Sequence, residues 1–276
     1  MTRSVADKRA AFAALHESGC FVLPNPWDVG SARLLQSLGF AAVATTSSGF
    51  AWTTGRPDYA VTRAGVLEHL QAMCAAIDLP VNADFESGFS AEAQGVAESV
   101  TMAIGTGVAG LSIEDRSVEA PFGLYDKARA AERVRAARAA IDRTKEKVIL
   151  VARTEGLLSD PTRVTEAIDK LVAFAEAGAD CLYAPGVKHK EDIAAMVRAV
   201  APKPVNFLAS INPSLSLAEL EDLGVRRISV GGALARVAWR AIEEAAEEMR
   251  AGSFQGLTRS MPGDALNELF GRFGEA

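Results

Sequence analysis

The stretch RVTEAIDKLVAFAEAGADCLYAP, residues 163–185, holds the unit from which this chain is built. Residues 163–177 place apolar side chains three or four apart, the period of a helix with one buried face. Gly178 follows, and glycine just past a helix end supplies the left-handed conformation at no steric cost. CLYAP, residues 181–185, then reads as a short apolar strand.

The junction recurs as LGFAAV at Gly39, TGVAGLSI at Gly107 and LGVRRIS at Gly224. Outward from these units, β-prone runs fall at 20–24, 41–46, 79–83, 110–114, 147–152, 181–185, 204–208 and 227–232. Helical patterns lie between them at 32–38, 63–77, 93–106, 129–141, 163–177 and 190–200. The strands lack strict alternation, as expected where both faces of a parallel sheet are covered. Eight strand and helix units predict a (β/α)₈ TIM barrel, with an open doubly wound sheet as the alternative. GxGxxG does not follow the first strand, so a dinucleotide site has no anchor. The expected organisation is one barrel domain over 1–276, with 252–276 a helical extension.

Of 276 residues, 49% are hydrophobic and 23% charged, and the net charge is -6. That balance excludes disorder and gives no overall attraction for nucleic acid or an anionic membrane. A small molecule is the expected partner. Three separated cysteines in apolar surroundings match neither a disulfide framework nor a zinc spacing. The N-terminal MTRSVADKRAAFAALHES reads as an amphipathic helix rather than a signal peptide, so the expected location is cytoplasmic.

In a barrel, the residues ending the strands form the active site. Here they are polar: Asn25, Trp27 and Asp28 after strand one, Asp58 beyond strand two, Asp84 and Glu86 after strand three. Glu114, Asp115 and Arg116 end strand four, Arg153 and Glu155 strand five, Asn206 strand seven, and Gly231 and Gly232 strand eight. Asp84 and Glu114 end neighbouring strands, so two acids share a partly dry cavity and need a shared proton or a cation. Oxygen donors without cysteine or histidine select a hard ion, Mg²⁺ or alternatively Mn²⁺. Arg153 offers a fork for a substrate carboxylate or phosphate, or a structural ion pair with Glu114 or Glu155. Metal beside guanidinium describes a site for a chelating 2-oxo or 2-hydroxy acid, whose carbonyl the ion would polarise and whose enolate it would stabilise.

The ordered segments WDVGSARLLQSLGF, TTSSGFAWTTGRPD, VNADFESGF, LSIEDR, VARTEG and ISVGGALAR resemble the isocitrate lyase and phosphoenolpyruvate mutase superfamily over most of the chain. The resemblance implies a Mg²⁺-dependent barrel that makes or breaks C–C or P–C bonds in 2-oxo acids through an enolpyruvate-like intermediate. It carries Asp84 and Glu114 over as metal ligands and Arg153 as the carboxylate clamp. Thr45, Thr46 and Ser47 fall on the family's substrate-binding loop, and Asp58 on an aspartate near the metal in a mobile loop. It also implies a homotetramer, a dimer of dimers that exchanges its last barrel helix. The apolar positions Phe254, Leu257, Met261, Leu266, Leu269 and Phe270 of the tail would serve such an interface.

Two departures bear on the reaction. The family's paired DAD acids become Asn82 and Asp84, with Glu86 able to replace the lost charge. The lyase loop KxCGH becomes RSVEAPFGLYD, without cysteine or histidine. The expected activity is therefore a Mg²⁺-dependent lyase, hydrolase or mutase, most simply a carbon–carbon lyase, but not isocitrate or methylisocitrate lyase. Arg153, Asp58 and Glu86 are the candidate catalytic residues. Trp27, Asp28, Thr45, Thr46, Ser47, Asn206 and Gly231 are the candidate substrate contacts. The alternative is a barrel that has lost catalysis and binds a carboxylate, or a phosphorylated metabolite at the Gly231–Gly232 amides; close helix packing explains those glycines equally. Cys181 reads as core, and His16 and His69 as surface or satisfied partners.

Overall fold

The computed structural model describes residues 3–120 and 123–274. Eight parallel strands, β1 (Phe21–Leu23), β2 (Val43–Ala44), β3 (Val81–Asp84), β4 (Gly110–Glu114), β5 (Ile149–Arg153), β6 (Cys181–Tyr183), β7 (Val205–Leu208) and β8 (Arg227–Ser229), pair in the order β1-β8-β7-β6-β5-β4-β3-β2. The Ala44 amide donates to Pro24 O at 3.0 Å, joining the ends of β2 and β1. An open sheet has no such bond, so the barrel reading holds.

Every strand is flanked by helices whose buried residues follow the expected period. In Val164–Glu176 these are Ala167, Lys170, Leu171 and Phe174. Gly178 takes φ +100°, where the Arg138 side chain leaves no room for a Cβ. Outward-facing strand residues such as Leu111, Ile113, Leu150 and Leu182 join one large core with these helices.

Inward-facing residues fill the barrel in layers. The helix Val5–Leu15 plugs the base, burying Phe12 against Leu23, Ala42, Ala44 and Ala109. It also engages carbonyls at and just beyond helix ends: Lys8 donates to Cys74 O and Ile77 O, and Arg9 to Ile104 O and Val108 O. Above Phe12 lies Arg227, whose Nε donates to Asn206 Oδ1 at 2.9 Å and whose Nη1 donates to Asn82 Oδ1 at 3.2 Å. Val151, Cys181 and Tyr183 pack at the same depth or above. Cys181 is core, and burial pushes its thiol up to about 11.

Two placements differ from expectation. The segment after β2 contains a helix, Ser47–Thr53, too short for periodicity to reveal. His16 and His69 are half-buried rather than at the surface. His16 meets Phe12 and Phe21 edge-on, and His69 stacks on Phe50 at 3.9 Å. Burial, reinforced for His16 by Arg227, lowers each imidazole to about 4.

Candidate active site

At the carboxyl end of β3, β4 and β5, register sets Glu114 opposite Arg153, while Asp84 pairs with Ser112. Arg153 Nη1 lies 3.4 Å from Asp84 Oδ1 and 3.5 Å from Glu114 Oε2. Both separations exceed the roughly 2.7–2.9 Å of a charge-assisted hydrogen bond. The other edge of the fork is taken by Glu155: Nε donates to Oε1, and Nη2 to Oε2 at 3.2 Å. The structural ion pair foreseen for Arg153 is therefore real, and Nη1 is the edge turned to the acids of the mouth.

Asp84 is fixed by its neighbours. Its amide donates to Thr45 Oγ1 at 2.9 Å, and Oδ2 accepts the Ser47 amide at 3.0 Å. Thr46 caps Ser47–Thr53 by accepting the Gly49 amide. A Cβ at Gly49 would fall 2.6 Å from Thr46 and 2.9 Å from Trp27, so glycine lets the helix settle against the mouth.

The loop after β3 turns sharply, with φ of 48° at Glu86, 76° at Gly88 and 58° at Phe89. Positive φ is strained for glutamate and phenylalanine. Arg133, buried on Lys127–Thr144, holds this turn by donating to the carbonyls of Ser87, Ser90 and Ala91. Glu86 O in turn accepts the Glu114 amide at 3.0 Å. Tyr59, also at positive φ (65°), lies beside Glu114 and under the Arg116 guanidinium at 3.7 Å.

Five carboxyl groups thus gather around one guanidinium. Burial raises Glu114 well above the usual carboxylate range; Glu155 and Asp84 add to this while Arg153 opposes it. Burial also raises Glu155, against Arg153. Burial and Asp84 raise Asp58, and the same causes, with Asp58, push Glu86 up to about 8. Burial alone would loosen the Arg153 proton, but Glu155, Glu114 and Asp84 hold that guanidinium well above its ordinary value. Glu114 Oε1 is buried without a hydrogen-bond partner. Crowded hard oxygens and an orphaned carboxylate atom fit a hard cation. Among the described residues, no three Asp, Glu, His or Cys side chains are placed to hold a metal by themselves.

Beneath this cluster, Asp115 accepts Lys170 Nζ at 2.7 Å, the Thr154 hydroxyl at 2.8 Å and the Glu155 amide at 2.9 Å. Lys170 also donates to Tyr125 O at 3.0 Å. The sequence signal for this pair is a lysine on the apolar face of Val164–Glu176. Tyr59 and Arg133 left no comparable signal.

The structure brings together Asp58, Asp84, Glu86, Glu114, Arg153, Thr45, Thr46 and Ser47. Other candidates are engaged elsewhere. Asp28 caps Val29–Ser37, accepting the Ser31 amide at 2.7 Å. Trp27 packs beside Gly49. Asn206 lies inside the barrel between Arg227 and Ser229. The amides of Val230 and Gly231 both donate to Asn25 Oδ1 at 2.9 Å, and Ser48 and Trp52 fill the space beside Gly232, which favours packing over phosphate binding. Asn82 is also reassigned: it faces Arg227 a layer below the mouth, so Asp84 and Glu86, not an acid at 82, form the pair that faces Asp58.

A family profile described as phosphoenolpyruvate phosphomutase matches residues 12–250. The chain belongs to the phosphoenolpyruvate phosphomutase family. Within this phosphomutase family, a solved Burkholderia cenocepacia J2315 protein described by class as a lyase/mutase is 44% identical, with TM-score 0.93 over 97% of both chains. An oxaloacetate decarboxylase of Pseudomonas paraeruginosa is 32% identical over 92% of this chain and 89% of its own length. A phosphonopyruvate hydrolase solved with oxalate and Mg²⁺ is 25% identical, with TM-score 0.85 over 99% of this chain and 96% of that one. Among the described residues, no helix is long and apolar enough to cross a membrane.

Proposed function

We propose that the protein is a Mg²⁺-dependent enzyme that cleaves the bond beside the carbonyl of a small 2-oxo or 2-hydroxy carboxylic acid, as a carbon–carbon lyase. The observation that carries this is Glu114: a carboxylate beside Asp84 and Arg153 on adjacent strands, with one oxygen buried and unpartnered. Family membership and the relatives' named reactions, on oxaloacetate and phosphonopyruvate, support the substrate class.

Asp84 and Glu114 would hold the ion, with Asp58 and Glu86 beside it and water completing the shell, since Mg²⁺ usually takes one or two carboxylates. When bound, the ion supplies Lewis-acid polarisation of a carbonyl oxygen. Arg153 Nη1 donates to the substrate carboxylate, and Glu155 fixes the plane of its fork. The Ser47 amide orients Asp84. The exposed apolar side chains Val237, Trp239 and Ile242 on Ala233–Arg250, and Phe254, Leu257 and Met261 beyond it, support a homotetramer. Sedimentation as a monomer at micromolar concentration would remove that part of the proposal.

Calorimetry with oxalate, an analogue of the pyruvate enolate, tests the assignment. Tight binding that a chelator or Asp84→Ala abolishes is the expected result; binding indifferent to both favours the catalytically lapsed carboxylate binder. A panel of 2-oxo and 2-hydroxy acids, including oxaloacetate and phosphonopyruvate, assayed for pyruvate or oxalate release then names the substrate.

A further inference from the structure

Arg133, with 1% of its surface exposed, heads the fully buried side chains in size. It belongs to the helix Lys127–Thr144, outside the ring of strands. Nη1 donates to Ser90 O at 2.6 Å and to Ala91 O at 2.5 Å, and Nη2 donates to Ser87 O. Among the described residues every hydrogen bond of this guanidinium goes to a main-chain carbonyl, and Nε is buried without a partner. A charge buried without a carboxylate is costly. An apolar side chain of similar bulk would avoid that cost but strip the three carbonyls of these donors.

The three carbonyls belong to the turn that carries Glu86, where Glu86, Gly88 and Phe89 all take positive φ. Such a conformation persists at glutamate and phenylalanine only where the surroundings over-determine it. Three contacts do so here. Phe89 meets the buried Phe85 edge-on at 5.1 Å. Gly88 lies so close to Val96 and Ile113 that a Cβ would fall 3.1 Å and 3.3 Å from them. Arg133 gathers the carbonyls, and its guanidinium is itself placed 4.3 Å from the Tyr125 ring. The Tyr125 amide donates to Asp115 O at 2.8 Å, and the Glu114 amide to Glu86 O at 3.0 Å. Arg133 thus ties the turn bearing one acid of the mouth to the segment bearing another.

We propose that Arg133 is a positioning residue for the mouth: it imposes the strained turn that presents Glu86, and it contributes to Mg²⁺ binding through that carboxylate without touching ion or substrate. This rests on the placement of Glu86 beside the ion in the function proposed above. A fork is needed because one nitrogen pair must span the carbonyls of Ser87 and Ala91 together, which a single ammonium does not match.

A double-mutant cycle on the full chain, read as Mg²⁺ affinity by calorimetry, tests this. Arg133→Met and Glu86→Gln are each expected to weaken Mg²⁺ binding about tenfold, and the double variant to bind within about twofold of the weaker single variant, because both remove the same contribution. Arg133→Lys keeps the charge but not the fork, should lose affinity in the same coupled way, and serves where Arg133→Met does not fold. A residue that merely supports the fold would weaken binding by the same factor with Glu86 or Gln at position 86. That additive result, or an unchanged affinity in the folded Arg133 variants, overturns the inference while leaving the metal site standing. If Glu86→Gln alone leaves Mg²⁺ affinity unchanged, the placement of Glu86 beside the ion falls, and the role of Arg133 with it.

Discussion

Acidification from pH 7.5 to 5 is expected to remove about 4 kcal/mol of folding stability through His16 and His69 alone. Each imidazole is lowered from 6.5 to about 4, His16 by burial and Arg227, His69 by burial against Phe50. A base with a depressed folded pKa binds fewer protons folded than unfolded, so its stability is complete above pH 6.5 and drains away as pH falls toward 4. The full shift of 2.5 units corresponds to about 3.4 kcal/mol per histidine, of which about 2 kcal/mol is lost by pH 5. In thermal unfolding this is about 8–16 °C for a chain of this size. Urea unfolding at both pH values should show the loss in the wild type and a much smaller one in His16→Leu/His69→Leu. The comparison is between pH values within each protein, so any pH-independent cost of substitution cancels. An equal loss in both proteins would refute the reasoning.

Three further outcomes follow from the site. With Glu86 held near 8 by burial, Asp84 and Asp58, and Glu114 raised as well, Mg²⁺ binding at pH 7 should expel protons, read as a buffer-dependent enthalpy that shrinks in Glu86→Gln; a buffer-independent enthalpy in the wild type contradicts it. Lys170→Met should cost about 3–5 kcal/mol in urea unfolding by stranding the buried Asp115 charge, and adding Asp115→Asn should recover part of the loss; a cost under about 1 kcal/mol would show that the pair is dispensable. Asn82→Asp should leave Mg²⁺ affinity unchanged because its carboxylate would meet Arg227, whereas a gain of about tenfold would return position 82 to the mouth.

Asp84, Glu114 and Arg153 were legible because strand ends in a barrel share one face, so type and position alone nominate them. Asn82 misled for a physical reason. Two residues along a strand keep the same face but advance by about 6.6 Å, enough to move a side chain from the mouth to the layer below. His16 and His69 misled because each side of an amphipathic helix includes border positions, and only packing decides which are covered. Asp28 and Asn206 carried the right chemistry at the right end of a strand, yet a local cap claimed one and an interior network the other.

The sequence by itself determined the barrel, its eight strands, and the acids and arginine at its mouth, since hydrophobic period, glycine stops and strand ends are local properties. Only the tertiary structure decided that Glu155 grips one edge of Arg153, that Lys170 and Arg133 brace the loops from behind, and that Arg227 occupies the barrel interior beside Asn82. These pairings join residues far apart in the chain. Their energies depend on burial and distance, which no local pattern encodes.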